Sequence, residues 1–167
     1  MKVKFKKLHP GARLPEKATA GSAAYDLYIP EDVIIKPGRQ IIPLGFAMEM
    51  KEGYEALVNP RSGFSSKGME GHKVTYIVSF EEPFFERVVS MKNSRSDCDV
   101  IEGKIDPDYR KECGVIVHSR EATEFLIKAG TRIAQMTFHK VETVDWEETD
   151  ALSETTRDGG FGSTGTA

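Results

Sequence analysis

The sequence predicts an all-β domain, either a sandwich or a barrel. Its apolar runs are short, most alternate with polar residues at a period of two, and turn residues separate nearly all of them. No long stretch carries a helical stripe and no internal repeat is visible. Many short strands with frequent turn signals make the pattern of sandwiches and barrels.

The elements follow in chain order. Val3 and Phe5 alternate with lysines. GSAAYDLYIP (21–30) reads as an apolar strand with Asp26 in its middle. An acid there is paired, hydrated or bound to a cation, unless it marks a turn at the strand's end. DVIIK and RQIIPL flank Pro37 and Gly38, where proline fixes φ and glycine adds freedom. GFAMEM and YEALVNP flank KEG as a second hairpin-like pair. KVTYIVSF, RVVSM, CGVIVHS, EFLI and TRIAQMTFHKV supply the later strands. Two segments stand apart. Residues 68–99 pass from aromatic to polar within SFEEPFFERVVSMKNSRSDCD, which suggests an added hairpin-like excursion that packs Phe80, Phe84 and Phe85, with NSRSDCD as a polar, mobile return. From Asp145 the chain turns acidic, then Ser/Thr-rich, then Gly-rich, a composition that stays mobile in isolation.

With 167 residues the chain fits one domain that buries a core without metals or disulfides. The net charge of −3 argues against sequence-blind binding to nucleic acid or an anionic membrane. It leaves room for a few arginines around one small anion. No run is long enough for a membrane span. Cys98 and Cys113 form no C-x-x-C pair, and MKVKFKKLHP has no apolar core of a signal peptide, so a reducing, cytoplasmic setting is expected. His9, His72, His118 and His139 share no metal-ligand spacing.

Four stretches carry chemistry. In PRSGFSSKG (60–68), Arg61, Ser62 and Gly63 offer a guanidinium, a hydroxyl and an unobstructed amide, a set suited to an oxygen-rich anion. A plain turn with a solvated arginine accounts for the same letters. In GKIDPDYRKE (103–112), Asp106 could serve as a general base, although turn chemistry explains Asp-Pro-Asp equally well. In GTRIAQMTF (130–138), Arg132, Ala134 and Gln135 interrupt an apolar strand; the polar two need partners, either salt bridges or a ligand. The final GFGSTG satisfies G-x-G-x-x-G, but only Thr166 and Ala167 follow, so no dinucleotide-binding helix can start there.

Each stretch is weak alone; their order is not. A-x-D-L, P-R-S-G, G-x-I-D-x-D-Y, G-x-R-I-A-Q and a terminal R-x-G-G-F-G-S-T-G together closely resemble the five motifs of the trimeric dUTP diphosphatases, or dUTPases. The resemblance spans the chain from Lys2 to its end, apart from about 69–99, which reads as an insertion.

The resemblance implies an all-β, jelly-roll-like (β-clip) subunit over 1–144 and a C-terminal arm over 145–167. It further implies a homotrimer whose active sites lie between subunits. The implied reaction converts dUTP to dUMP and pyrophosphate, which keeps uracil out of DNA and supplies dUMP, with Mg2+ held mainly by the triphosphate. By the same resemblance, Asp106 activates water and Tyr109 lies against the deoxyribose. Arg61, Ser62, Gly63 and Gln135 contact phosphates, and Asp26 organises the hydrated magnesium. The hairpin carrying Asp106, including Ile105, reads uracil through its backbone. In the arm, Phe161 stacks on the base, while Arg157, Gly162, Ser163 and Thr164 donate to phosphate oxygens.

This sequence departs from the family pattern in places. Ala24 and Lys111 replace usual glycines, Val100 replaces a common asparagine, and Arg61 and Asp106 stand about twice as far apart in sequence as usual. Two rivals share the scaffold. A dCTP deaminase needs a glutamate where this chain has Ile116, which cannot move protons. A regulatory binding protein would use the 69–99 segment to meet a protein partner, yet would have no need of Asp106, Tyr109 and the arm together.

Overall fold

The structure, a computed structural model, describes residues 1–78 and 85–156, with side chains for all of these except 78 and 85–91. The short apolar runs form strands as their alternation requires: β1 (Lys4–Lys7), β2 (Tyr25–Tyr28), β3 (Val33–Ile35), β4 (Gly38–Pro43), β5 (Phe46–Glu49) and β6 (Tyr54–Asn59). A six-residue helix, α1 (Ser62–Lys67), interrupts them. Then come β7 (Met69–Val78), β8 (Phe85–Ser96), β9 (Cys98–Ile101), β10 (Gly103–Ile105), β11 (Gly114–Ser119), β12 (Phe125–Ile127) and β13 (Arg132–Lys140). In β11 the alternation is strict, with Val115, Val117 and Ser119 buried between less buried neighbours.

The strands form sheets in the orders β1-β5, β10-β6-β13-β2, β4-β11-β9 and β3-β12-β7-β8. All of them contribute to a single apolar cluster, in which Leu27, Ile35, Phe46, Val115, Ile127 and Met136 are almost wholly enclosed. The arrangement is all-β and jelly-roll-like. Among the described residues no helix is long and apolar enough to cross a membrane.

Pairing departs from the sequence reading. β3 and β4 flank Pro37-Gly38 but do not pair with each other: β3 pairs with β12 and β4 with β11. Likewise β5 pairs with β1, while β6 pairs with β10 and β13, so the expected hairpin across KEG is absent. Turn residues show where a chain bends. They do not show whether the next strand returns to the same sheet or crosses the core to another.

The 69–99 segment behaves differently from a surface excursion. β7 and β8 do form an antiparallel hairpin, with Met69 opposite Ser96 and Val78 opposite Phe85. The base of that hairpin lies inside the core, since Met69 and Val74 are buried and β7 also pairs with β12. The expected polar return is strand instead: Asn93 belongs to β8, and Cys98 opens β9, which pairs with β11. Buried Ser96, Cys98 and Val100 give it an inward face that its polar letters hide. Phe80 and Phe84 lie outside the described residues. Beyond β13, residues 141–156 form neither helix nor strand and are exposed, Trp146 to 94%.

Candidate active site

The first cluster grows from one rung of the β2–β13–β6 sheet. Gln135 on β13 stands opposite Asp26 on β2 and Asn59 on β6. Two residues past Asn59 the chain leaves β6 and turns into α1, so Arg61, Ser62 and Gly63 arrive beside that rung. Gln135 Nε2 donates to the carbonyl of Pro60 at 3.1 Å and fixes the turn. Asp26, Arg61, Ser62, Gly63 and Gln135 line one open cleft of about 360 Å³. A Cβ on Gly63 would meet no atom within 4 Å, so the space beside it is open.

Asp26 is only 6% exposed, and its partners explain how a carboxylate survives there. Arg61 Nε donates to Oδ1 at 2.8 Å, and Arg132 Nη1 donates to Oδ2 at 3.2 Å. A bulge makes the second contact possible. Between Arg132 and Ala134 the register on β2 advances by a single residue, from Tyr28 to Leu27. Ile133 and Ala134 are therefore both buried in succession, while Arg132 is thrown out of the alternation toward Asp26. The odd letters of GTRIAQMTF mark this bulge, and Arg132's partner is a salt bridge.

The same geometry tests the expected magnesium. Both Asp26 oxygens are already held by guanidinium groups, and among the described residues no group of three or more His, Cys, Asp or Glu could hold a metal ion. The magnesium expected above is of another kind: it would be carried by the triphosphate and reached from Asp26 through water.

The second cluster surrounds the turn after β10. Tyr109 N donates to the carbonyl of Asp106 at 3.2 Å, closing a turn with proline in its second position. The turn reading of Asp-Pro-Asp holds, and the turn presents the Asp106 carboxylate to solvent. Beside it, Lys104 is ion-paired with Glu55, and that hydrogen bond, with Asp106 and Glu102 nearby, holds its ammonium above the ordinary lysine range.

The strands on either side of this turn were expected to form a hairpin. Instead β10 pairs only with β6, and β11 lies in another sheet between β4 and β9. Splaying opens a slot of about 210 Å³ lined by Val58, Gly103, Ile105, Tyr109, Gly114 and Ile116, among others. β10 is the edge of its sheet, so one row of its backbone donors and acceptors is left without a ladder partner.

The two clusters stand apart in one chain. β10 runs antiparallel to β6, with Ile105 opposite Ala56, so Asp106 emerges level with Glu55. Arg61 lies beyond the other end of β6, roughly 20 Å away along the strand at about 3.3 Å per residue. Arg157, Phe161, Gly162, Ser163 and Thr164 lie outside the described residues. Glu112 escaped the sequence reading altogether, because nothing in GKIDPDYRKE distinguishes its carboxylate from a solvated one.

A family model described as dUTPase matches residues 11–80 and 90–165. Curated deoxyuridine 5'-triphosphate nucleotidohydrolases are similar over nearly the whole length. That of Nautilia profundicola is 40% identical over 99% of this chain and 99% of its own. That of Wolinella succinogenes is 36% identical over 99% of this chain and 95% of its own. Among solved structures, a Staphylococcus bacteriophage 80alpha dUTPase variant with dUpNHpp superposes with a TM-score of 0.76 at 21% identity, covering 98% of both chains. A dUTPase variant from phage phi11 of S. aureus, described with a structural Mg(II) ion, gives 0.70 at 20% identity over 91% of this chain and 99% of its own. The fold is common to all of them, and the curated relatives extend the likeness to sequence: this chain belongs to the dUTPase family.

Proposed function

We propose that this chain is a dUTP diphosphatase, hydrolysing dUTP to dUMP and pyrophosphate at sites assembled between subunits of a homotrimer. The observation that carries the reading is the division of the site. The Arg61 anion cleft and the Asp106 turn lie at opposite ends of β6, in a chain whose curated relatives are deoxyuridine 5'-triphosphate nucleotidohydrolases. Neither half reaches the other within one subunit. A cleft from one chain facing the turn of its neighbour completes a site, which is the assembly the family resemblance implies.

The triphosphate enters the anion cleft. Arg61, oriented by Asp26, donates to phosphate oxygens, and the Ser62 hydroxyl adds a donor. The amides of Ser62 and Gly63 begin α1 and lack acceptors within the helix, so they also face the anion. Gln135 holds the Pro60 turn and keeps this set in place. These donors stand ready where charge grows on the departing pyrophosphate. Any magnesium arrives with the triphosphate, and no step is assigned to it.

The base enters the slot of a neighbouring subunit. The free edge of β10 presents backbone donors and acceptors to uracil's O2, N3–H and O4, while Ile105 and Ile116 wall the ring. Ile116 carries no group that could shuttle a proton, so deamination has no agent there. Tyr109 lies against the sugar and leaves no space for a 2′-hydroxyl. Asp106, exposed on its turn, takes a proton from the attacking water. From the third chain, Phe161 caps the base, and Arg157, Gly162, Ser163 and Thr164 close over the phosphates.

Pyrophosphate release from dUTP, dTTP, dCTP and UTP tests the whole reading. Release from dUTP alone is expected. Equal turnover of all four, or none, would overturn it.

A further inference from the structure

Tyr109 is 40% exposed, so core packing does not set its ring. Its tip is held instead: Tyr109 Oη donates to the carbonyl of Glu112 at 3.0 Å. That carbonyl shares its peptide unit with the Cys113 N–H, which donates to the carbonyl of Phe46 at 2.8 Å, and the Glu112 side chain adds a second anchor. One Glu112 carboxylate oxygen accepts the backbone N–H of Gly45, 67 residues away, at 2.8 Å.

Gly45 is a firm post. Its carbonyl accepts from the amides of Leu8 and His9 at 2.8 and 2.9 Å. Its φ is +73°, and a Cβ there would lie 2.7 Å from His9 Cβ, so only glycine fits this node. Next to it, Leu44 N donates to the carbonyl of Cys113, and Cys113 N donates to that of Phe46. The turn with Asp106 and Tyr109 is thus fastened to the β4–β5 junction through Glu112, and the Gly45–Glu112 bond is its charge-assisted member.

We infer that Glu112 is a positioning residue that fixes the Tyr109 ring through Gly45, and so sets how strongly the site prefers 2′-deoxy over 2′-hydroxy nucleotides. The inference rests on the proposed place of Tyr109 against the sugar. In Glu112→Ala the side-chain anchor is lost while the Cys113 backbone bonds remain, so the carbonyl that holds the ring is less firmly placed and the ring gains freedom beside the sugar. In Glu112→Gln the amide oxygen accepts the same N–H, so the geometry persists without the charge.

The test compares kcat/KM for dUTP and UTP in wild type, Glu112→Ala, Glu112→Gln, Tyr109→Phe and Tyr109→Ala, with melting curves for each. Glu112→Ala should narrow the preference by about tenfold, the scale of one charge-assisted hydrogen bond, chiefly through KM. Glu112→Gln should keep most of it. Tyr109→Phe keeps the ring but loses its tether, so it should move toward the Glu112→Ala value, and it serves alone if Glu112→Ala does not fold. Undiminished preference in Glu112→Ala, or in Tyr109→Phe where only that variant folds, while Tyr109→Ala collapses it, would overturn the positioning role alone. Undiminished preference in Tyr109→Ala would overturn the sugar-wall reading and this inference with it.

Discussion

If Arg61 and Asp106 of one chain never share a site, two differently crippled chains should repair each other. Asp106→Asn leaves the fold intact but removes the proton acceptor, at a typical cost of about 10²–10⁴ in rate. Arg61→Ala removes a preorganised donor to the phosphates, typically about 10²–10³ in rate. The register of β10 on β6 places the two positions at opposite ends of that strand, some 20 Å apart at about 3.3 Å per residue. In a trimer whose sites each take the cleft from one chain and the turn from its neighbour, a mixed assembly regenerates intact sites. In every ring that contains both variants, about one third of the sites draw wild-type Arg61 and wild-type Asp106 from adjacent chains, because the interfaces of a closed ring are equivalent. Co-expression of the two variants under separate tags, with tandem purification, gives the sample; pyrophosphate release gives the readout. Activity near a third of wild type is expected, about thirtyfold or more above either parent. A co-assembled sample no more active than its parents would refute both the division of the site and the register argument beneath it.

Other consequences are more local. Asp26→Asn should lower stability by about 2–3 kcal/mol, since a buried carboxylate serving two guanidinium groups is lost while both partners keep some access to water. Its KM for dUTP should rise as Arg61 loses its orientation; added magnesium should not restore it, and full restoration would assign the loss to the ion-organising role that the family resemblance implies for Asp26. Met69→Ala should cost about 2–5 kcal/mol through the cavity it leaves, whereas Tyr76→Ala, on the exposed part of β7, should cost under about 1 kcal/mol; equal melting temperatures would mean the base of the hairpin is not core. Burial pushes the Cys98 and Cys113 thiols up to about 11 from an ordinary value of 9.0. A raised folded-state pKa contributes stability below the unfolded value, so stability should fall as pH rises from 9.0 to about 11. A double Cys→Ser variant with the same alkaline slope would assign the loss to other groups.

The strands were legible because their signal is local. Alternation and turn residues lie within a few positions of each other, and β2, β6, β7, β11, β12 and β13 all fall where apolar runs placed them. Partners were not legible. Pro37-Gly38 and KEG look like hairpin turns, yet the strands they join separate into different sheets, because burial of an apolar face is decided by the whole core. NSRSDCD misled for a related reason. Ser96 and Cys98 are small enough to be enclosed against larger neighbours, so polar letters in a short strand do not guarantee solvent.

The site divides along the same line. Residue types were legible: an arginine, a serine and a glycine in a row, and an acid before proline, announce anion binding and a turn without any structure. What the letters could not contain is distance. Arg61 and Asp106 look like parts of one site in sequence order, and only the antiparallel pairing of β10 on β6 sends them to opposite ends of a strand. Arg132 shows the converse. As a letter it is an intruder in an apolar strand, and a one-residue bulge turns that anomaly into the second guanidinium on Asp26. A charged residue that breaks a strand's alternation is therefore best read together with the register of its neighbours. The break marks where the ladder slips, and the slip decides which buried group the charge is delivered to.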